Sequence, residues 1–143
     1  MTTAGCGASG DEETESAPRA SAPQQPDGLW GRKFTSTAVT EAGEPQPLVP
    51  GTRIALTFEK STARGMIGWS AGCNLAGAKV RVTAEELRIG QIASTLIGCR
   101  ADLEEQDEWL GEFFGSNPRW RLSDSQLTLS SGETVIKLKA ADH

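Results

Sequence analysis

The side chains able to do chemistry in this 143-residue chain are few: three cysteines, one histidine at the last position, and no tyrosine. Cys73 and Cys99 each follow a glycine at the end of a strand-like stretch, and three arrangements suit them. A disulfide closing their roughly 26-residue loop would stabilise the fold by about 3 kcal/mol. Two buried reduced thiols are a second arrangement, and a metal or redox site is a third. Two sulfurs with only His143 in reserve fall short of a four-ligand zinc site, and neither cysteine lies in a Cys-x-x-Cys motif. The disulfide is the expectation. Serine and threonine are abundant, yet without an internal histidine no Ser-His-Asp arrangement can assemble. No local feature selects a pair of carboxylates for glycoside hydrolysis. The acidic run at 104–108 alternates with Leu103, Trp109 and Leu110 and reads as a solvated helix face. The four tryptophans, Trp30, Trp69, Trp109 and Trp120, read most simply as core or core edge. Trp69, beside glycines on an irregular strand, is also the candidate surface contact. The sequence selects no catalytic residue, no metal ligand and no cofactor site, so a non-enzymatic role is expected.

Cys6 poses a separate question. Thr3-Ala4-Gly5-Cys6 followed by Gly7-Ala8-Ser9 is similar to the end of a bacterial lipobox, in which the cysteine carries the lipid. Thr3 stands where an apolar residue is usual, and the basic and apolar regions of an export signal do not precede it. Either the start is truncated or the similarity is chance. The following segment favours truncation. Residues 1–27 are rich in Ser, Ala, Pro, Gln and Glu, carry a net charge of −4, and have no large apolar residue apart from Met1 and Cys6. Burial cannot offset the entropy of ordering such a segment. Read as a disordered tether, its roughly 20 residues after Cys6 would reach about 25 Å. Lipid on Cys6 would make the natural protein membrane-anchored and exported, while the chain as given is expected to be soluble.

The elements that must position these residues begin at Gly28. From there the net charge is only −1 out of −5 for the whole chain, and no run of Lys and Arg is dense enough for nucleic-acid phosphates. No stretch of about 18 apolar residues could span a bilayer as a helix. Alternation of period two predicts strands at 53–59, where Ile54, Leu56 and Phe58 share a face, and at 65–71, 78–82, 87–92, 120–122, 126–129 and 134–139. A first strand is expected from Leu29-Trp30 through Phe34, followed by a Gly/Pro-rich loop over 41–51. One segment changes period: in 102–114, Leu103, Leu110, Phe113 and Phe114 form a helical stripe with Trp109 beside it. Asp102 with Glu105 is expected to cap its start, and Gly115 with Pro118 to end it. The fold class expected is α+β, mainly antiparallel β. It is a curved sheet or incomplete barrel of about seven strands, closed by one amphipathic helix and occupying residues 28–140. Gly72 and Gly77 suit tight turns or close packing, and Asn74 suits a side chain that satisfies turn backbone.

On these residues the chain resembles the META-domain, or HslJ-like, family. The resemblance rests on Gly72-Cys73-Asn74 with Gly77 after it, on Thr95 and Cys99 spaced Thr-x-x-x-Cys, on the helix that follows, and on a terminal hairpin of the Leu-Thr-Leu type at 127–129. It covers about 29–139. Ala78-Lys79 replaces an aromatic usual after the glycine, and Leu96-Ile97 replaces a Met usual before the second cysteine. The resemblance implies an antiparallel half-barrel with a helix and no established catalytic residues. It implies an envelope-associated protein, often a lipoprotein, linked to stress or antibiotic tolerance. Two functions follow as expectations. One is an interaction module for an unidentified envelope protein, expected to be a monomer; the other is a carrier for an acyl chain or small apolar ligand inside the incomplete barrel. A core filled by Trp, Phe and Leu would favour the first, and an enlarged apolar cavity the second.

Overall fold

The structure is a computed structural model that describes residues 28–60 and 65–141. The tether over 1–27, Cys6 and His143 lie outside the described residues.

Ten strands and one helix follow in the order β1 (Arg32–Glu41), β2 (Glu44–Pro45), β3 (Ala55–Lys60), β4 (Gly65–Ser70), β5 (Leu75–Val82), β6 (Leu87–Ile89), β7 (Ala93–Ser94), α1 (Ala101–Gly115), β8 (Arg119–Ser123), β9 (Gln126–Ser131) and β10 (Thr134–Ala140). Eight of them form one antiparallel ladder, ordered β6-β5-β4-β3-β1-β10-β9-β8, with β2 pairing β1 and β7 pairing β5. The two ends of the ladder meet at a short seam. Glu86 and Arg119 form a single bridge there. The Leu87 N–H donates to the Pro118 carbonyl at 2.9 Å and the Trp120 N–H to that of Glu85 at 3.2 Å. Where strand pairing gives out, the side-chain oxygen of Asn117 accepts from the Ile89 N–H at 2.8 Å. The sheet is a nearly closed barrel with one seam and one helix, the α+β, mainly antiparallel architecture expected from the alternation.

Alternation explains the core. Ile54, Leu56 and Phe58 turn inward, as do Ile67 and Trp69 from β4, Leu127 and Leu129 from β9, and Ile136 and Leu138 from β10. Phe34 meets Phe58 edge-on at 5.9 Å between ring centroids, and Trp69 stacks on Phe114 of α1 at 4.2 Å. The interior is thus packed with large side chains contributed by both sheet and helix.

Three expectations are corrected. The first strand starts at Arg32 rather than at Leu29-Trp30. Gly31, with φ at +77°, turns the chain there, so that Leu29 plugs the core and Trp30 packs edge-on against Phe58. That strand also continues to Glu41, because it pairs β3 with its first residues and β10 along almost its whole length, bending at an irregularity between Ser36 and Ala38. Finally, the N-cap position of α1 is Arg100, whose side chain makes no capping bond, and not Asp102. The Glu104 carboxylate accepts from the Cys99 N–H at 3.1 Å, while Asp102 is held by the Arg100 guanidinium. A Glu one turn in thus reaches back to a backbone donor, so the pair at the helix start is Cys99 with Glu104 in place of Asp102 with Glu105.

Candidate functional site

The turn from β4 to β5 is where the sequence concentrates its signals, and it is built for close approach. Gly72 has φ at +102°, and a Cβ there would sit 2.7 Å from Thr52 Cγ2. A Cβ on Gly77 would meet the Ile67 carbonyl at 3.1 Å. Both glycines are therefore sites of tight packing.

Cys73 and Cys99 are bonded to each other, with their Cα atoms 6.2 Å apart. The bridge fastens the segment between β7 and α1 to the start of β5. Asn74 makes the same junction with hydrogen bonds, a wider role than satisfying its own turn. Its amide oxygen accepts from the Ile97 N–H at 2.7 Å and the Thr95 hydroxyl at 2.8 Å. Its backbone N–H and its amide nitrogen both donate to Asp107 Oδ2, at 3.0 and 3.2 Å. One side chain thus ties strand, loop and helix together. Thr95 completes the tie: its backbone N–H donates to the Leu75 carbonyl, and its hydroxyl accepts from the Leu75 N–H at 3.1 Å.

The bridge and Asn74 hold up an apolar surface. Leu96 is 94% exposed, Leu75 66% and Ile97 57%. The backbone that carries these aliphatic side chains is held by a covalent bond and a hydrogen-bond network, and the side chains stand in water. Beside them lies a recess of about 90 Å³ lined by Trp69, Asn74, Ala76, Ile92, Ser94, Asp107 and Gly111.

Trp69 is a core residue, the simpler of its two readings, and the surface-contact alternative is corrected. It is 5% exposed, because its strand faces inward at Gly65, Ile67 and Trp69 and its ring lies against Phe114. The aliphatic surface is instead Leu75, Leu96 and Ile97, of which the last two lie between the Thr95 and Cys99 positions singled out from sequence. Gln106 went unnoticed in the sequence. It is buried in α1, donates to the Ala71 carbonyl at 2.8 Å and to Thr52 Oγ1 at 3.0 Å, and accepts from the Val49 N–H at 2.8 Å. Its signal was a polar residue standing on the apolar stripe, three after Leu103 and four before Leu110.

The chemistry of the remaining polar groups is modest. Among the described residues no group of three or more His, Cys, Asp or Glu side chains converges as for a metal. Hydrogen bonding from Arg100 holds the Asp102 carboxyl below its ordinary range, and the carboxylate in turn raises the guanidinium. Both side chains are exposed at the start of α1. No helix among the described residues is long and apolar enough to cross a membrane.

A model of the META-domain family matches residues 27–142. Two structures solved by NMR share the fold. One, of a protein from Burkholderia xenovorans, is 17% identical with a TM-score of 0.66, over 92% of this chain and 97% of the other. The second is 22% identical with a TM-score of 0.62, over 81% of this chain and 94% of the other. No curated protein matches the chain.

Proposed function

The chain belongs to the META-domain family, and we propose that it is a non-enzymatic interaction module of the cell envelope, tethered through a lipid on Cys6 and acting in stress response or antibiotic tolerance. The observation that carries this reading is the Leu75, Leu96 and Ile97 surface, held outward by the Cys73–Cys99 bridge and by Asn74. A partner protein would bury these side chains, and their area is a source of affinity that the folded domain leaves unused. The bridge supports an exported location, since such bonds persist in oxidising compartments and are rare in the cytosol. The carrier alternative would need open space within the barrel. Phe34, Phe58, Trp69, Phe114, Trp120 and the inward leucines occupy it, which favours contact through the surface.

The test is a photo-crosslinking side chain placed at Leu96, with the same group at exposed Lys137 as the reference, in cells expressing the protein from its own gene. A discrete protein adduct from position 96 alone is the expected result. Equal adducts from both positions would remove the interaction surface. An acyl-chain ligand retained in native mass spectrometry after exposure to lipid extract would replace it with the carrier. Fatty-acid labelling in the same cells, lost in Cys6→Ser, tests the tether by itself.

A further inference from the structure

Four cations scattered through the sequence meet at one end of the barrel. Gly65 opposes Val80, so β5 runs past the start of β4, and Arg81 and Val82 pair only with Arg88 and Leu87 of β6. The ledge this makes, together with Trp30, Lys60 and Asn117, borders an open cleft of about 660 Å³ that also takes in Lys79. Gly65 is required here, since a side chain on it would collide with the Trp30 ring. Lys60, Lys79, Arg81 and Arg88 are all exposed on the rim. The Lys60 ammonium lies 5.7 Å from the Trp30 ring centroid, within cation–π range.

The charges are not neutralised in place. Arg81 stands directly opposite Arg88, and like charges so placed repel and destabilise a sheet. Arg88 has one carboxylate, Glu86, at 4.0 Å, the limit of an ion pair. Among the described residues, no salt bridge joins Lys60, Lys79 or Arg81 to a carboxylate; the pairs present are Arg88–Glu86, Arg100–Asp102 and Arg119–Glu85. Glu59 is the other acidic neighbour, on the same strand as Lys60 and in line with Met66 and Lys79 across β4 and β5. An anion bound between Arg81 and Arg88 would turn their repulsion into attraction.

We propose that this cleft seats the phosphate of an anionic membrane lipid. Guanidinium groups match phosphate oxygens in a paired geometry and ammonium groups add point charge. An indole beside them suits the boundary between headgroups and acyl chains, and exposed Met66 extends an apolar contact along the same row as Lys79. The cleft is open, as a surface-bound headgroup needs. The described chain enters the fold at Gly28 and Leu29, immediately before Trp30, so a tether from Cys6 would arrive at this end. The choice of lipid over free phosphate rests on the tethered reading; the cleft does not. Leu75 lies six residues from Arg81 on β5, roughly 20 Å along the strand, so the bridged loop would face away from the bilayer while the cleft is docked.

The unlipidated full chain serves for the test, by flotation with vesicles of phosphatidylcholine alone and of phosphatidylcholine mixed with phosphatidylglycerol. Binding to the mixed vesicles alone, weakening as salt is raised, is expected. Lys79→Gln and Arg81→Gln should each lower partitioning about fivefold, without any loss of thermal stability. Arg53→Gln, at the opposite end of β3 from Lys60, and Lys137→Gln, equal in charge but away from the cleft, should leave it unaltered. Equal binding to both vesicles, or equal loss from the distant variants, would overturn the site. Glycerol phosphate shifting the Trp30 indole N–H resonance while vesicles stay unbound would overturn the membrane source, as would vesicles left unbound by a cleft that takes an acidic protein. Failure of Cys6 labelling would strike the tether and leave this result standing.

Discussion

Gln106 shows how much one amide can hold. Both its donors and its acceptor are used, joining α1 to the end of β4 and to the loop before β3. Gln106→Leu keeps the volume but strands the Val49 N–H and the Ala71 carbonyl, and should cost about 1–3 kcal/mol in urea unfolding. Gln106→Glu should cost more at neutral pH, because it turns a carboxylate oxygen toward the Ala71 carbonyl. Neither consequence could be read from sequence. A glutamine on an apolar stripe announces a buried polar group, but its partners, Val49, Thr52 and Ala71, come from segments whose approach only the fold decides. The same holds for Asn74: its position beside Cys73 was legible, and its bonds to Thr95, Ile97 and Asp107 were not. The disulfide was more accessible, since two cysteines at strand ends leave few partners to choose from.

Among the elements, legibility followed side-chain size. β3, β9 and β10 carry large apolar residues at every second position and were found nearly at their true bounds. β5 was found only from Ala78. Its first residues, Leu75-Ala76-Gly77, carry no alternation, and they are strand because β4 and β7 pair with them. β2 and β7, of two residues each, exist only through their partners. The bridge supports this weakly encoded region. Reduction of Cys73–Cys99 should lower stability by about 3 kcal/mol, and chemical unfolding with and without reductant measures it. Asn74 still ties the loop after reduction, so the domain should remain folded. Hydrogen exchange at Ile97 and Thr95 should quicken well before exchange in β9 and β10.

For the molecule as a whole, the alternation and the single helical stripe were enough for the fold class, because one amphipathic helix among antiparallel strands leaves few ways to cover the sheet. The cleft was not legible, because Lys60, Lys79, Arg81 and Arg88 become neighbours only when β3, β5 and β6 take their places. The filled interior is the global property most open to test. Phe114→Ala removes the ring stacked on Trp69 and should cost about 3–5 kcal/mol in denaturant. The variant, unlike the parent, should bind a small apolar molecule in the space left. Seven residues of the first strand pair with the last, from Phe34 opposite Ala140 to Glu41 opposite Thr134. That register spans about a hundred residues of intervening chain, which places the domain among slow folders whose rate is set by a distant closure. Until residues 134–140 are present, one edge of β1 has nothing to zip against. The domain is therefore most open to mispairing with other chains during its own synthesis, and least so once its final hairpin has closed.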